Sequence, residues 1–184
     1  LAPAVQPARA AEEPVAYQAI IDTQAPALVT VRFMLKFNPG GGGQAQEREA
    51  EAPGVIIEDS GLILCSNTQL GGFIKLMRGG QNATYTPTDI KILIGDDNEG
   101  KSAKLLARDT ELDLAWVQLN DKPEKPLPHV DLAQGITPKA GQTLVSIRQM
   151  SRFFDRTPIV SSGIVGGITR KPREYYVPSG TLNL

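Results

Sequence analysis

The chain has 184 residues, of which 41% are hydrophobic and 21% charged, an ordinary balance for a globular protein. Its formal net charge of −1 gives no overall electrostatic argument for nucleic acid or an anionic membrane as a partner. A single cysteine, Cys65, and a single histidine, His129, exclude an internal disulfide and a paired-cysteine zinc site, so neither metal nor cofactor is expected.

The first 13 residues are Ala- and Pro-rich, and Ala8-Arg9-Ala10 has the small-x-small pattern of a signal-peptidase site. They read as a signal-peptide remnant or a disordered start, and the first option makes the protein periplasmic or secreted. No apolar run reaches the roughly 18 residues that a membrane span needs. Residues 14–24 predict a short helix that stops before Pro26, with Pro14 suited to its first turn. The period then changes, and residues 28–37, rich in Val, Phe and Leu, predict a strand. A flexible loop follows at Asn38-Pro39-Gly40-Gly-Gly-Gly43, which has no Lys-Ser/Thr pair with which to cradle a phosphate.

Strands are predicted at 49–58 and 62–66 around the turn Asp59-Ser60-Gly61, and a long loop at 71–87. Ile90, Ile92 and Ile94 alternate with Asp89 and Lys91, Ala103, Leu105 and Ala107 alternate in the next strand, and Asp113, Ala115, Val117 and Leu119 share a face in a sixth. Six strands joined mostly by short turns predict a closed antiparallel barrel. Residues 121–128 form a stiff proline-rich linker. Three further strands at 142–148, 158–169 and 175–177 are too few for a second barrel. The expected organisation is therefore 1–13, a barrel with its helix at 14–120, a linker at 121–128, and a partial second barrel at 129–184.

Three segments in this order resemble the HtrA/Deg branch of trypsin-like serine proteases. Pro53-Gly-Val-Ile-Ile-Glu-Asp-Ser-Gly-Leu-Ile-Leu-Cys-Ser-Asn67-Thr68 is similar to the family's glycine-led hairpin ending in Thr-Asn-x-His. Ala103-Lys-Leu-Leu-Ala-Arg-Asp109-Thr-Glu-Leu-Asp113-Leu-Ala115 is similar to the strand carrying the catalytic aspartate, in an Asp-x-x-x-Asp-Leu-Ala pattern. Ala140-Gly-Gln-Thr-Leu-Val-Ser-Ile147 with Ser161-Ser-Gly-Ile-Val-Gly-Gly-Ile168 resembles the strand pair that opens the second barrel. The resemblance implies an all-β, trypsin-like double barrel with a complete six-stranded first barrel, a partial second one and a short N-terminal helix.

The resemblance also implies a degenerate triad, with Thr68 at the histidine position and Asp113 at the aspartate position. A threonine hydroxyl has no pKa near neutrality and cannot relay the serine proton. Arg148-Gln-Met stands where the family has Gly-Asn-Pro, and the Gly-Asn-Ser-Gly-Gly nucleophile segment would follow Leu184. Without a histidine, Asp113 is expected to be a strand-start carboxylate bonded to nearby amides. Cys65, with no histidine near it in sequence, is expected to be a small buried hydrophobe rather than a nucleophile.

Phe73, Ile74, Leu76 and Met77, set between glycine pairs, are the candidate ligand-binding residues, against a short helix packed on the barrel. The basic stretch Arg152, Arg156, Arg170, Lys171 and Arg173, beside Tyr175 and Tyr176, is either a site for an acidic partner or a solvated face. The expected function is a non-catalytic, exported protease-like domain that binds peptide or protein or acts as a scaffold. Two alternatives stand beside it: an endopeptidase completed by sequence beyond residue 184, and a structural domain of a larger exported protein.

Overall fold

The computed structural model describes residues 13–38, 44, 46–72, 84–171 and 173–180. Helix α1 spans Glu13–Gln24 and runs into one 3-10 turn, Ala25–Ala27, at Pro26. Nine strands follow: β1 Leu28–Asn38, β2 Gln46–Glu58, β3 Leu62–Ser66, β4 Thr84–Ile94, β5 Lys101–Asp109, β6 Leu114–Leu119, β7 Thr143–Gln149, β8 Pro158–Thr169 and β9 Tyr175–Gly180. The chain divides into two compact units, residues 26–136 and residues 1–25 with 137–184.

The first unit is the predicted barrel, closed in the order β1-β2-β3-β6-β5-β4 with every pairing antiparallel. Alternation builds its core: Val29, Val31, Phe33 and Leu35 of β1 point inward with Ile63 and Cys65 of β3, Ile90 and Ile92 of β4, and Ala115, Val117 and Leu119 of β6. Closure leaves this sheet no free edge. β4 begins at Thr84, inside the segment expected to be loop. Its early half is polar and carries Pro87, but pairing with β1, from Asn38↔Thr84 to Val29↔Ile94, supplies the ladder that the pattern concealed.

Of the barrel's three register shifts, those in β4 and β5 bear on which side chains face the core. In β4, Phe33 stands opposite a shift between Arg32↔Lys91 and Met34↔Thr88, and Asp89 takes a left-handed φ of 46°. In β5, the register shifts between Leu105↔Val117 and Ala107↔Trp116. The extra residue, Leu106, is 53% exposed, and beyond it the inward parity switches. Ala107 is therefore turned outward, against the expected run of Ala103, Leu105 and Ala107, and Arg108 faces inward opposite Ala115.

The second unit holds β7, β8 and β9 in one antiparallel sheet of that order, the expected partial second barrel. Helix α1 contacts β7 and β8 and clusters with this sheet, not with the barrel to which the sequence reading had joined it. The proline-rich segment at 121–128 continues along the barrel, where Leu127 N–H donates to Asp59 O at 3.1 Å and Val130 N–H to Ile56 O at 2.9 Å.

Gly61 offers a direct check on the β2–β3 turn. Its φ of 84° is left-handed, and a Cβ there would stand 2.5 Å from Leu119 Cδ1. Gly61→Ala is expected to lower stability by about 1–3 kcal/mol, from backbone strain plus overpacking, as read by urea unfolding.

Candidate functional site

The turn after β3 and the start of β6 meet at one end of the barrel. Asp113, at φ 56°, directly precedes β6; aspartate is among the few L-residues that tolerate this region. The turn that delivers it is held by Asp109, whose Oδ1 accepts from Glu111 N–H at 2.9 Å and Leu112 N–H at 2.8 Å. In the Asp-x-x-x-Asp pattern, the first aspartate thus shapes the turn and the second enters the site.

The Asp113 carboxylate is taken up by the facing turn. Ser66 Oγ donates to Oδ2 at 2.7 Å and Thr68 N–H donates to Oδ1 at 2.6 Å. The Ser66 oxygen in turn accepts from Gln69 N–H at 3.2 Å, and Asn67 N–H reaches the Asp113 carbonyl at 3.1 Å. Desolvation pushes the carboxyl upward, but hydrogen bonds from the Thr68 hydroxyl, the Ser66 hydroxyl and the Thr68 amide more than offset it, and the pKa lies below the ordinary aspartate value.

Beneath this carboxylate lies a second network. Arg108 Nη1 donates to Asn67 Oδ1 at 2.7 Å and Nη2 to the Leu70 carbonyl at 3.3 Å. Asn67 is buried, and Leu70, in the short helical turn Thr68–Gly72, is fully enclosed. Burial lowers the Arg108 pKa, and the Cys65 sulfur partly counters that. The Cys65 thiol itself donates to Ala115 O at 3.6 Å, and desolvation pushes its pKa to about 12, with Arg108 pulling down and Asp113 pushing up. It is a neutral core thiol and no nucleophile at neutral pH.

A family model described as the trypsin-like peptidase domain matches residues 52–182, well over half of the chain. The match covers the site described above. The chain belongs to the trypsin-like peptidase domain family. No curated protein matches the sequence.

Within this trypsin-like domain the Thr68 amide and the Asp113 carboxylate are hydrogen-bonded neighbours. Thr-Asn-x-His sets its histidine two residues after the asparagine, so counting from Asn67 the histidine position is Gln69 and Thr68 fills the intervening place. Neither residue carries an imidazole. His129, the one histidine, has its Nδ1 against Leu127 O at 3.1 Å, on the segment that runs beside Asp59 and Ile56. Phe73, Ile74, Leu76 and Met77 lie outside the described residues, as does Gly40–Gly43. Sequence reading gave no role to Ser66, Asn67 or Arg108; the first two lie within the recognised hairpin motif, while the inward turn of Arg108 depends on the Leu106 bulge. Among the described residues no cluster of His, Cys, Asp and Glu has a metal-binding arrangement.

Three outcomes are expected. Arg108→Met leaves the buried Asn67 carboxamide without its donor and lowers stability by about 1–3 kcal/mol in denaturant unfolding. Asp113 has a depressed folded pKa, so its contribution is present above the unfolded value of 3.8 and is lost as pH falls below it. The stability gap between the wild type and Asp113→Asn should shrink over that acid range. Cys65 has a raised folded pKa, so its contribution is intact below 9.0 and declines between pH 9.0 and about 12. Wild type should lose stability over that alkaline range faster than Cys65→Ala, and native Cys65 should react with a thiol reagent only as fast as the barrel opens.

Proposed function

We propose that this trypsin-like domain is a non-catalytic member of the HtrA/Deg branch, an exported domain that binds peptide or protein or serves as a scaffold. One observation carries the reading. The turn facing Asp113 offers Thr68 and Gln69 where serine-protease chemistry needs a general base, and Asp113 is already bonded to Ser66 and Thr68. An aspartate engaged in that way holds the turn together and has no imidazole to orient. Loss of the base alone costs several orders of magnitude in rate, so the geometry favours binding over turnover. The glycine-led hairpin and the Asp-x-x-x-Asp-Leu-Ala segment support the HtrA/Deg assignment, and Ala8-Arg9-Ala10 supports export.

The purified chain should show no labelling by a fluorophosphonate probe and no casein hydrolysis, while retaining unfolded casein in equilibrium binding. Stoichiometric labelling that disappears on substitution of one serine would instead establish the endopeptidase reading. Failure to retain casein, with no labelling either, would leave the purely structural reading. The geometry is tested separately by Gln69→His and Thr68→His, each with and without Asp113→Asn. An imidazole beside the carboxylate should titrate at higher pH when Asp113 is present, because the opposite charge favours the protonated ring. Coincident NMR titration curves in both pairs would contradict the placement of this turn against Asp113.

A further inference from the structure

The basic stretch singled out in the sequence does not form one surface. Arg152 and Arg156 lie in the β7–β8 turn, while Arg170, Lys171 and Arg173 lie in the β8–β9 connection, at the other end of the 12-residue β8. At about 3.3 Å per residue the two groups stand roughly 40 Å apart. The β7–β8 group has a feature of its own. Phe153 is 87% exposed and Phe154 50% exposed, and their rings meet edge-to-face with centroids 4.9 Å apart and planes at 88°.

This turn is built, not slack. Asp155 and Arg156 are consecutive non-glycine residues at φ 54° and 50°. Phe154 N–H donates to Ser151 O at 2.9 Å, Asp155 N–H to Arg152 O at 3.0 Å and Thr157 N–H to Phe154 O at 3.0 Å. The Thr157 hydroxyl also donates to Phe154 O, at 2.7 Å. Left-handed backbone at two adjacent side-chain-bearing positions persists only where surrounding contacts hold it. Here they hold two apolar rings out in water, with exposed Arg152 between them and the strand and exposed Arg148 on the adjacent end of β7.

We propose that this turn docks the domain on an anionic lipid surface, with Phe153 and Phe154 entering the headgroup–acyl boundary and Arg148 and Arg152 at the phosphates. Size decides between a lipid and a protein partner. Two aromatic side chains bury about 150–250 Å² each, far below the roughly 800 Å² per partner of a stable protein interface. A lipid surface requires no matching shape, only an apolar tip and cations behind it. No described helix is long and apolar enough to cross a membrane. The inference is independent of the proposed function.

The test uses the full chain with vesicles of phosphatidylcholine alone or mixed equally with phosphatidylglycerol. Wild type should sediment with the anionic vesicles, less so in high salt, and not with the neutral ones. Arg152→Gln should weaken binding roughly fivefold, and Phe153→Ser with Phe154→Ser tenfold or more. Both rings are exposed, so the double variant should melt with wild type. In Phe153→Trp, vesicle binding should shift the added emission to the blue, and brominated acyl chains should quench it. Wild type that ignores both vesicle types, a double variant that binds equally well, or a Phe153→Trp protein without quenching would each overturn the proposal. The first of those results would direct attention to a protein partner instead.

Discussion

One extra residue in β5 governs the chemistry of the barrel's end. If the β5–β6 ladder kept its register, Ala107 would face the core and Arg108 would face water. The bulge at Leu106 exchanges them and brings a guanidinium to the inward face opposite Ala115. That group is then the donor for Asn67 Oδ1 and the Leu70 carbonyl, so the turn leaving β3 is anchored from below. Asp113 anchors the same turn from the side, through Ser66 and the Thr68 amide. A bulge, an arginine and an aspartate thereby fix the backbone at which a trypsin-like domain would hold its general base.

Asp113 has a structural role at this turn that does not depend on a histidine. An aspartate stripped of all partners at this half-buried site would bear an uncompensated desolvation cost. Asp113 instead accepts from the Ser66 hydroxyl and the Thr68 amide, and hydrogen bonding of this kind favours its ionised form. Its retention is explained by folding of the turn alone. The same bonds tie the carboxylate to the turn that leaves β3.

How much of this the sequence revealed follows from which forces leave a local trace. Period-two alternation in β1, β3, β4 and β6 reflects half-burial on a pleated sheet, so the barrel and most strand boundaries were legible from it. Thr84–Asp89 was not, because Pro87 and polar neighbours look like loop while long-range pairing to β1 makes them strand. Parity beyond Leu106 was hidden for a related reason: a bulge is a property of two strands and is not encoded in either one's alternation. Asp113 was found through its motif, while Arg108, next to that motif, was not. The grouping of α1 with the C-terminal sheet was equally unreadable, since a 12-residue helix says which face is apolar and not which unit it joins.

The two units differ in how they handle apolar surface, and this bears on where interactions arise. Of the fully enclosed hydrophobic residues, Val165 belongs to the C-terminal unit and the others, from Ala27 to Leu119, to the barrel unit. The barrel satisfies its own ladder through closure and buries its apolar side chains around one core. The three-stranded sheet has two outer strands and leaves Val145, Ile164, Ile168, Tyr175 and Val177 between 39% and 45% exposed. Sheets of three strands are near the lower limit of independent stability. The polar network around Asp113 and Arg108 lies in the closed barrel, while most of the exposed large apolar side chains among the described residues lie in the C-terminal unit. The strained β7–β8 turn, with Phe153 in water, is the extreme of that second kind of surface.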